Sequence, residues 1–355
     1  MNLFNTLRGE YSTVGLDIGT YALKLAKIMH RKDGTYLEAV GIQELPPGTI
    51  EGGEIKNREV LIQSVTTLVN KCDPSIVEVV ISMSGGGIIS DRMTFTREPN
   101  EEEDDFVLWQ ASQRSPFDID DITLDYKKLR ENPQTNEVEV FVVAAKNQIM
   151  QNYIDLLYDA GLKPVIVDVD AFAVANCYWF ACGDRPEQGT VALINIGHDL
   201  TNITFVKDGK YHSSRDISTA GTFFNTILQR NLGITAEEAA SIIKGRNTRA
   251  IDLSVLWQSI EYAAEELSSG IDLAFSYFKH SEKSDSIDKI ILCGGGAYIP
   301  NIVPFLEKRH DTVVQVLNPL TYLQFDPALF GNLNPQSIGS LLVVAVGLGL
   351  RRTME

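Results

Sequence analysis

Hydrophobic and polar positions repeat in two matching stretches, one near the start of the chain and one past its middle. The stretches are residues 14–20 and 193–201. In each of them an apolar strand leads to Asp or Asn, and Gly follows two residues later. Each is followed by a second strand that leads to an Asp-Gly pair, at Asp33-Gly34 and Asp208-Gly209, typical of a type I′ hairpin turn. The copies lie about half of the 355-residue chain apart. We therefore predict two related domains, at 1–185 and 186–355, with a cleft between them.

Hydrophobic spacing elsewhere predicts the other elements. Helices are predicted at 57–72, 100–113, 148–160, from Thr235 to Gly245, through 256–278 and from 299 onward, and strands at 76–83, 123–129, 137–145, 165–169 and 289–293. Asn57 predicts an N-cap, and Thr235 with Glu238, like Asn100 with Glu103, a capping box. Residues 94–145 have no counterpart in the second half, so we predict an inserted subdomain that offers a partner surface.

The first and last residues carry their own predictions. Leu3, Phe4 and Leu7 have helical spacing within the first ten residues, which predicts a packed first turn. The apolar stretch 338–350 contains glycines and ends at Arg351, so we expect a buried terminal helix.

Composition narrows the class of protein. The net charge is −16 with a pI near 4.8, which argues against nucleic acid and anionic lipid headgroups as partners. No apolar run reaches the ~18–20 residues that span a bilayer, and no secretory signal is visible, so we expect a cytoplasmic protein without direct membrane insertion. The four cysteines predict buried free thiols, and the five dispersed histidines argue against a metal cage built from protein side chains.

The repeated loops suit phosphate binding. A hairpin with Gly and a hydroxyl at its tip offers N–H and O–H donors, and the preceding carboxylate can hold Mg²⁺ through water. Asp17, Gly19 and Thr20 have this arrangement, and Lys24 follows on the returning strand. Gly197 and Thr201 repeat it, and a glycine turn at 294–297 allows close approach of a nucleotide. Each piece alone is more often an ordinary turn; their order along the chain favours a nucleoside triphosphate.

These residues resemble the actin-like ATPases, the superfamily of actin, heat-shock chaperone ATPases and sugar kinases. The resemblance covers the first loop, the connecting segment 167–171, the second loop 195–201 and the glycine turn 294–297. It implies an α/β fold, a duplicated actin-like (ribonuclease H-like) pair of domains with an interdomain nucleotide cleft. A Rossmann domain is disfavoured, because its GxGxxG motif precedes a helix where this chain has a hairpin.

Within the superfamily the chain resembles the PilM family of type IV pilus assembly. The resemblance is carried by 45–50, 53–55, 115–117, 160–164 and 167–172. It implies ATP and Mg²⁺ as cofactors and a relocated subdomain like that of the cell-division protein FtsA. The implied partners are the cytoplasmic N-terminal peptide of PilN, other pilus platform proteins and possible further copies of the chain. The implied location is the cytoplasmic side of the inner membrane, reached through protein partners.

The expected site residues follow from the motifs and from this resemblance. Nucleotide contacts are expected from Asp17, Gly19, Thr20, Lys24, Asn195, Gly197, Thr201, Gly221, Lys244, Gly294, Gly295, Gly296 and Ala297, and Mg²⁺ contacts, mainly through water, from Asp17 and Asp168. Asp168 is also the candidate catalytic carboxylate; the alternative is that it caps the helix starting near Ala171.

Three positions leave alternatives open. Asn195 stands where relatives have Asp, and a neutral amide predicts slow or absent hydrolysis. Lys244 lacks the preceding acidic residue of relatives, which is Ser241 here, so a solvated lysine at a helix end is an equal alternative. His198 either touches a terminal phosphate or faces solvent.

We expect an ATP-binding adaptor in which the nucleotide sets the interdomain angle and thereby shapes a peptide groove near the insertion. Two rivals stay open. A small-molecule kinase of the same superfamily would use Asp168 or Asp170 as its base, and an FtsA-like protein would polymerise with ATP. The tail after Leu350 is too short for an FtsA-like amphipathic anchor, which disfavours a filament on the membrane.

Overall fold

The computed structural model of the protein describes residues 10–96, 103–114, 117–183, 187–246, 252–282, 286–331 and 333–351. The strands are β1 (Tyr11–Ile18), β2 (Ala22–Arg31), β3 (Gly34–Glu44), β4 (Ile50–Glu51), β5 (Glu54–Ile55), β6 (Glu78–Met83), β7 (Ile88–Thr96), β8 (Ile122–Asn132), β9 (Glu137–Lys146), β10 (Lys163–Val169), β11 (Thr190–Ile196), β12 (Thr201–Lys207), β13 (Lys210–Ile217), β14 (Lys289–Cys293), β15 (Val313–Val316) and β16 (Gln324–Phe325). The α-helices are α1 (Arg58–Cys72), α2 (Glu103–Arg114), α3 (Asn147–Asp159), α4 (Asp170–Cys182), α5 (Gly221–Leu232), α6 (Ala236–Ile243), α7 (Leu253–Glu282), α8 (Ile302–His310), α9 (Pro335–Ile338) and α10 (Val343–Gly349).

Two sheets with the same topology form the two halves. In the first sheet β1, β2 and β3 are an antiparallel meander, and β6 and then β10 pair parallel beside β1. In the second, β11, β12 and β13 form the meander, and β14 and then β15 pair parallel beside β11. The duplication predicted from the repeated sequence pattern is therefore present in the strand order.

The two predicted hairpin turns differ. At Asp208 and Gly209 φ is 50° and 73°, as a type I′ turn requires. The prediction for the first copy was wrong: Arg31 pairs with Gly34, so Lys32 and Asp33 form the turn, and neither has positive φ. A register shift between Lys27 and Ile28 accompanies this displaced turn.

Most predicted helices and strands are confirmed within a few residues. The Oδ1 of Asn57 accepts the Val60 amide at 3.2 Å, which caps α1. Thr235 and Glu238 form both bonds of the capping box at the start of α6. Gly245, at φ 73°, follows its end. These signals are local, and the local structure follows them.

A third, smaller sheet forms the body of the inserted segment. Its strand order is β7-β9-β8, and its core contains Met93, Phe95, Val107, Val138 and Val140. The side chain of Val107 comes from α2, which packs against this sheet. The sheet begins with β7 at Ile88, whereas the sequence pattern starts the insertion at about residue 94. We call β7 to β9, with α2, the inserted subdomain.

Two helices lie between the large sheets. Helix α4 and the terminal helix α10 share one hydrophobic core with residues of both sheets, including Ala26, Val80, Leu193 and Ile291. Helix α10 packs so closely on β1 that a Cβ at Gly15 would lie 2.0 Å from the Ala345 carbonyl oxygen. The short strand β16 also pairs with β3, so the end of the chain completes the first sheet.

Further predictions concerned the N-terminal segment, the cysteines and the possibility of a membrane-spanning helix. The N-terminal segment with Leu3, Phe4 and Leu7, and the predicted cap Asn100, lie outside the described residues. The four cysteines are free, two of them buried (Cys177 and Cys293) and two partly buried. No helix in the described ranges combines the length and the apolar character that crossing a bilayer requires.

Candidate functional site

The first glycine loop connects β1 to β2. Asp17 lies directly opposite Lys24 in the antiparallel register, and Lys24 Nζ donates to Asp17 Oδ2 at 3.0 Å. A Cβ at Gly19 would lie 3.1 Å from the Ala22 carbonyl oxygen and 3.0 Å from Lys24 Nζ. A Cβ there would press on the Ala22 carbonyl oxygen, and the loop brings a carboxylate and an ammonium group together beside its tip.

The second loop, between β11 and β12, repeats this construction. A Cβ at Gly197 would lie 2.7 Å from the carbonyl oxygen of Leu200, three residues on, as Ala22 is from Gly19. The Gly221 amide donates to the Gly197 carbonyl at 3.1 Å, which places the N-terminus of α5 beside the loop. Thr201 is fully buried, and its hydroxyl donates to the Thr219 carbonyl at 2.8 Å.

The glycine turn after β14 lies against the end of β11. Gly294 has φ 80°, and a Cβ there would lie 2.4 Å from Asn195 Oδ1. A Cβ at Gly296 would lie 2.1 Å from Ile196 Cγ2. Gly295 and Ala297 continue the turn as a 3₁₀ helix. The backbone of the glycine turn therefore packs directly against the end of β11, with the Asn195 carboxamide beside Gly294.

The two glycine loops face each other across a cleft between the halves. The ring of Tyr21, next to Thr20, lies 5.0 Å from the ring of His198 in the second loop. A second contact between the halves is the hydrogen bond that the Gly85 amide donates to Asp216 Oδ2 at 3.2 Å. Burial lowers the pKa of His198, Lys24 lowers it further, and Asp199 opposes both. The net shift favours the neutral form of the His198 imidazole.

A carboxylate that the sequence assignment left out of the nucleotide site lies beside the first loop. Asp170 opens α4, and the Ser82 hydroxyl donates to its Oδ1 at 2.5 Å. Burial, with the nearby charges of Asp17 and Asp216, raises its pKa to about 6. Its signal in the sequence was its position two residues after Asp168, at the end of the same strand.

Asp168 is placed differently. Arg351 Nε lies 2.8 Å from its Oδ2, and the Val169 amide donates to its Oδ1 at 2.9 Å. Burial raises the pKa of Asp168 and the charge of Arg351 opposes that rise. Arg351, two residues after the terminal helix, is thus the partner of this carboxylate, whereas Asp170 is the one that interacts with Asp17.

Lys244 reaches across the cleft to the first half. It is the C-cap of α6, and its Nζ donates to Glu44 Oε1 at 2.7 Å and to Tyr21 Oη at 2.8 Å. Sequence reasoning missed both partners, because more than two hundred residues separate Lys244 from Tyr21 in the chain. Neither has a motif that marks it.

Comparison with known proteins places this geometry in a family. The family model described as type IV pilus assembly protein PilM matches residues 15–353. The chain belongs to the PilM family. The fold of this PilM-family protein is similar to the "PilM-PilN type IV pilus biogenesis complex", with a TM-score of 0.83 and 23% identity over 96% of this chain and 98% of that one.

Two further solved structures share the fold more distantly. The ethanolamine utilization protein EutJ from Carboxydothermus hydrogenoformans is 16% identical, with a TM-score of 0.56 over 96% of this chain and 89% of that one. MreB5 of Spiroplasma citri bound to AMPPNP is 13% identical, with a TM-score of 0.51 over 95% of this chain and 94% of that one. The predicted two-domain actin-like fold is confirmed.

The cleft residues suit a nucleotide with a hydrated cation. Both loops and the turn carry glycine at positions such as Gly19, Gly197 and Gly295, and the lack of a side chain there lets a polyphosphate approach the backbone. Lys24 supplies a positive charge, and Asp17 and Asp170 supply oxygen ligands. No group of three His, Cys, Asp or Glu side chains in the described part of the chain forms a metal cage. Mg²⁺ usually keeps several waters and binds through few carboxylates, which fits this donor set.

Proposed function

We propose that this PilM-family protein binds ATP with Mg²⁺ in the cleft and acts as an adaptor of type IV pilus assembly. In this proposal it binds the cytoplasmic N-terminal peptide of PilN with an affinity that depends on the nucleotide. One observation carries the nucleotide site: two glycine loops of equal construction face each other across the cleft, with the Tyr21 and His198 rings 5.0 Å apart. A ligand with phosphates along its length fits between two such loops.

Each loop has a defined part in holding the phosphates. The backbone of Gly19 and Thr20 lies on one side and that of Gly197 on the other, where the N-terminus of α5 adds a partial positive charge. Lys24 can exchange its bond to Asp17 for a phosphate oxygen. The hydroxyl of Thr201 bonds to Thr219, so Thr201 supports the loop from within. The glycine turn 294–297 leaves room for the nucleoside.

The metal would be held by Asp17 and Asp170 through water. Asp170 must lose its proton to do so, and its pKa of about 6 allows this at neutral pH. Phosphates with Mg²⁺ bound here would carry the negative charge that Lys24 and the N-terminus of α5 attract from the two sides. Asn195 offers no carboxylate to polarise water, so we propose that turnover is slow or absent. The MreB5 structures with AMPPNP and with ADP show that an actin-like fold of this kind holds nucleotides.

The inserted subdomain packs against β13 of the second half. This contact can transmit a change at the nucleotide site to the surface that binds the partner. Phe141 of β9, Phe172 of α4 and Tyr211 of β13 pack edge to face, with centroids 4.9 to 5.5 Å apart. The hydroxyls of Ser90 and Ser214 lie 3.3 Å apart beside them. In this proposal a change in the angle between the halves shifts these contacts, and with them the peptide groove that we place near the inserted subdomain.

The partner follows from the family. A solved relative with the same fold is described as a PilM-PilN complex, which supports PilN as the partner here. We place the protein in the cytoplasm, at the inner membrane through PilN, with other platform proteins and further copies of the chain as additional contacts.

Calorimetric titration of nucleotide-stripped protein with ATP and Mg²⁺ tests the site. We expect saturable binding that Asp17→Ala abolishes. Asp33→Ala, in an exposed turn of the same sheet, is the matched control and should bind as the wild type does. No binding by the wild type, or equal binding by Asp17→Ala, would refute the nucleotide site.

Titration of a fluorescent PilN N-terminal peptide tests the adaptor. We expect peptide affinities with and without ATP that differ by several-fold, because coupling requires unequal affinity for the two states. Equal affinities would remove the nucleotide response and leave a plain adaptor. Phosphate transfer to a small molecule, or light scattering that rises with ATP, would favour the kinase or the polymerising alternative.

A further inference from the structure

Three side chains join the two halves at the entrance of the cleft. Lys244 Nζ donates to Glu44 Oε1 at 2.7 Å and to Tyr21 Oη at 2.8 Å, and the Tyr21 hydroxyl donates to Glu44 Oε2 at 3.0 Å. These bonds form a closed ring, and Lys244 Nζ also lies 4.8 Å from the centroid of the Tyr21 ring. We call Tyr21, Glu44 and Lys244 the clasp.

The clasp is held by rigid elements on both sides. Glu44 ends β3 and pairs with Ala22, and the Leu45 amide donates to the Tyr21 carbonyl at 2.9 Å, so two members are fixed to the first sheet. Lys244 ends α6, and its own amide donates to the Ala240 carbonyl at 3.1 Å. The clasp can therefore open if the two halves separate or if an exposed side chain, Glu44 or Lys244, rotates away from its partners.

The clasp borders both glycine loops. Tyr21 follows Thr20 directly, and its ring contacts His198 of the second loop. A ligand that moves between solvent and the loops on this side passes the clasp. All three hydrogen bonds are between protein groups, so the clasp is complete without a ligand.

The clasp is electrostatic but weak. Burial by itself would raise the pKa of Glu44, but the hydrogen bond and charge of Lys244, with the Tyr21 hydroxyl, lower it overall. Burial would lower the pKa of Lys244, and its bonds to Glu44 and Tyr21 raise it. Both groups are thus charged at neutral pH. Their side chains are 60% and 36% exposed, and ion pairs this exposed contribute little free energy. Such a contact opens readily.

We propose that the clasp is a gate, which opens to let a nucleotide enter or leave the cleft and closes again in either state. This inference rests on the proposed nucleotide site. Because the gate closes on both the empty and the occupied cleft, it changes the rates of association and dissociation together and the affinity much less. The clasp thereby sets how fast the protein exchanges its nucleotide.

Distances between spin labels test the clasp without any nucleotide. Labels at Glu59→Cys and Glu237→Cys, exposed helix positions in the two halves, are placed in a background in which Cys72 and Cys182 are Ser. Glu44→Lys puts two ammonium groups face to face, and we expect longer and broader distances. Adding Lys244→Glu to Glu44→Lys restores opposite charges, and we expect the wild-type distances to return.

A matched control separates the clasp from a general effect of charge. Glu38 lies on the same strand and pairs with Arg31 at 2.9 Å within the first half, so Glu38→Lys should leave the distances unchanged. Wild-type distances in Glu44→Lys, or no return in the double variant, would overturn the clasp whether or not the protein binds nucleotide.

Exchange kinetics test the gate. Tyr21→Phe removes two of the three hydrogen bonds without changing any charge and keeps the ring beside His198. With a fluorescent ATP analogue in stopped flow we expect association and dissociation both to become about three- to tenfold faster, with the affinity changed less than threefold.

An unchanged dissociation rate overturns the gate. So does a loss of affinity at an unchanged association rate, since it would make Tyr21 a direct contact. Absence of any wild-type binding would refute the nucleotide site and the gate with it, while the label distances would still decide whether the clasp holds the halves together.

Discussion

Gly347 of α10 lies against the backbone of Ala173 in α4, so closely that a Cβ on Gly347 would come within 1.8 Å of the Ala173 carbonyl oxygen. The two helices between the sheets thus touch backbone to backbone, and the contact can relax only by moving one helix. We expect Gly347→Ala to lower the free energy of unfolding by about 2 kcal/mol or more, because the new methyl group cannot be accommodated. Alanine favours a helix over glycine by about 1 kcal/mol, which is too little to offset this loss. Urea denaturation measures this change. Gly86→Ala, with no neighbour within 4 Å, is the control; an equal effect of both would contradict the close contact.

Gly197→Ala addresses the second phosphate loop. The new Cβ would meet the Leu200 carbonyl oxygen at 2.7 Å and push apart the two ends of the loop. We expect ATP affinity to fall at least tenfold, while the melting temperature falls only slightly because the loop lies outside the hydrophobic cores. Calorimetric titration and a thermal melt on the same sample give both numbers. Wild-type affinity in this variant would mean that the loop does not hold the phosphates.

Asp170 predicts a pH dependence of stability. Its pKa in the folded protein is about 6, above the 3.8 of an unperturbed Asp, so the folded state keeps the proton longer than the unfolded chain does. The proton on Asp170 therefore stabilises the folded protein. This stabilisation is fully present below about pH 4 and is lost as pH rises towards 6. We expect Asp170→Asn to be more stable than the wild type by about 3 kcal/mol above pH 6, and nearly equal to it at pH 4. Urea denaturation across this range tests the sign, with exposed Asp155→Asn as control. A difference that does not vary with pH would contradict the assignment.

The ion pair between Arg351 and Asp168 predicts a second pH dependence of stability. Without the guanidinium the buried carboxylate has no cation beside it, so Arg351→Ala should destabilise the protein at pH 7.5 by about 1–2 kcal/mol. The loss should shrink as pH falls, because a protonated Asp168 needs no counter-charge. Adding Asp168→Asn to Arg351→Ala should recover part of the loss, and a double-mutant cycle measures the coupling. Additive effects would mean that the two side chains do not interact.

The aromatic contact between the inserted subdomain and β13 predicts a loss of coupling. Phe141→Leu removes two edge-to-face contacts while keeping an apolar side chain. The ratio of PilN peptide affinities with and without ATP should move towards one, and ATP affinity should stay within about twofold. Phe95→Leu, whose edge-to-face partner Phe106 lies within the inserted subdomain, is the control. An unchanged ratio in Phe141→Leu would show that coupling takes another route.

Sequence reasoning was strongest where local spacing determines the structure. The strand-loop-strand repeats and the caps at Asn57 and Thr235 depend on neighbours within a few residues, and they were predicted. The first hairpin was misassigned because the pairing of β2 with β3 puts Arg31 opposite Gly34, with a register shift at Lys27, so the turn lies one residue earlier than the Asp-Gly pair. Turn propensity alone does not contain that information.

Long-range pairs could not be read from the chain. Asp168 and Asp170 look alike in sequence, and what separates them is Arg351, which arrives from the far end of the chain. The bonds of Lys244 to Glu44 and Tyr21 depend likewise on how the two halves approach each other. Their partners become visible only when both sheets and the terminal helix are in place.

The last part of the chain supplies an edge strand and a covering helix to the first sheet. Strand β16 pairs with β3, and α10 covers β1 with a backbone contact at Gly15. During synthesis at about 5–20 residues per second, roughly 10–30 s pass between the emergence of β10 and that of β16. During that interval α4, which follows β10 directly, can cover only part of this face, because α10 has not yet been made. The nascent polypeptide therefore exposes apolar side chains of the face, such as Ala26 and Ile28, until its C-terminal helix has been synthesised.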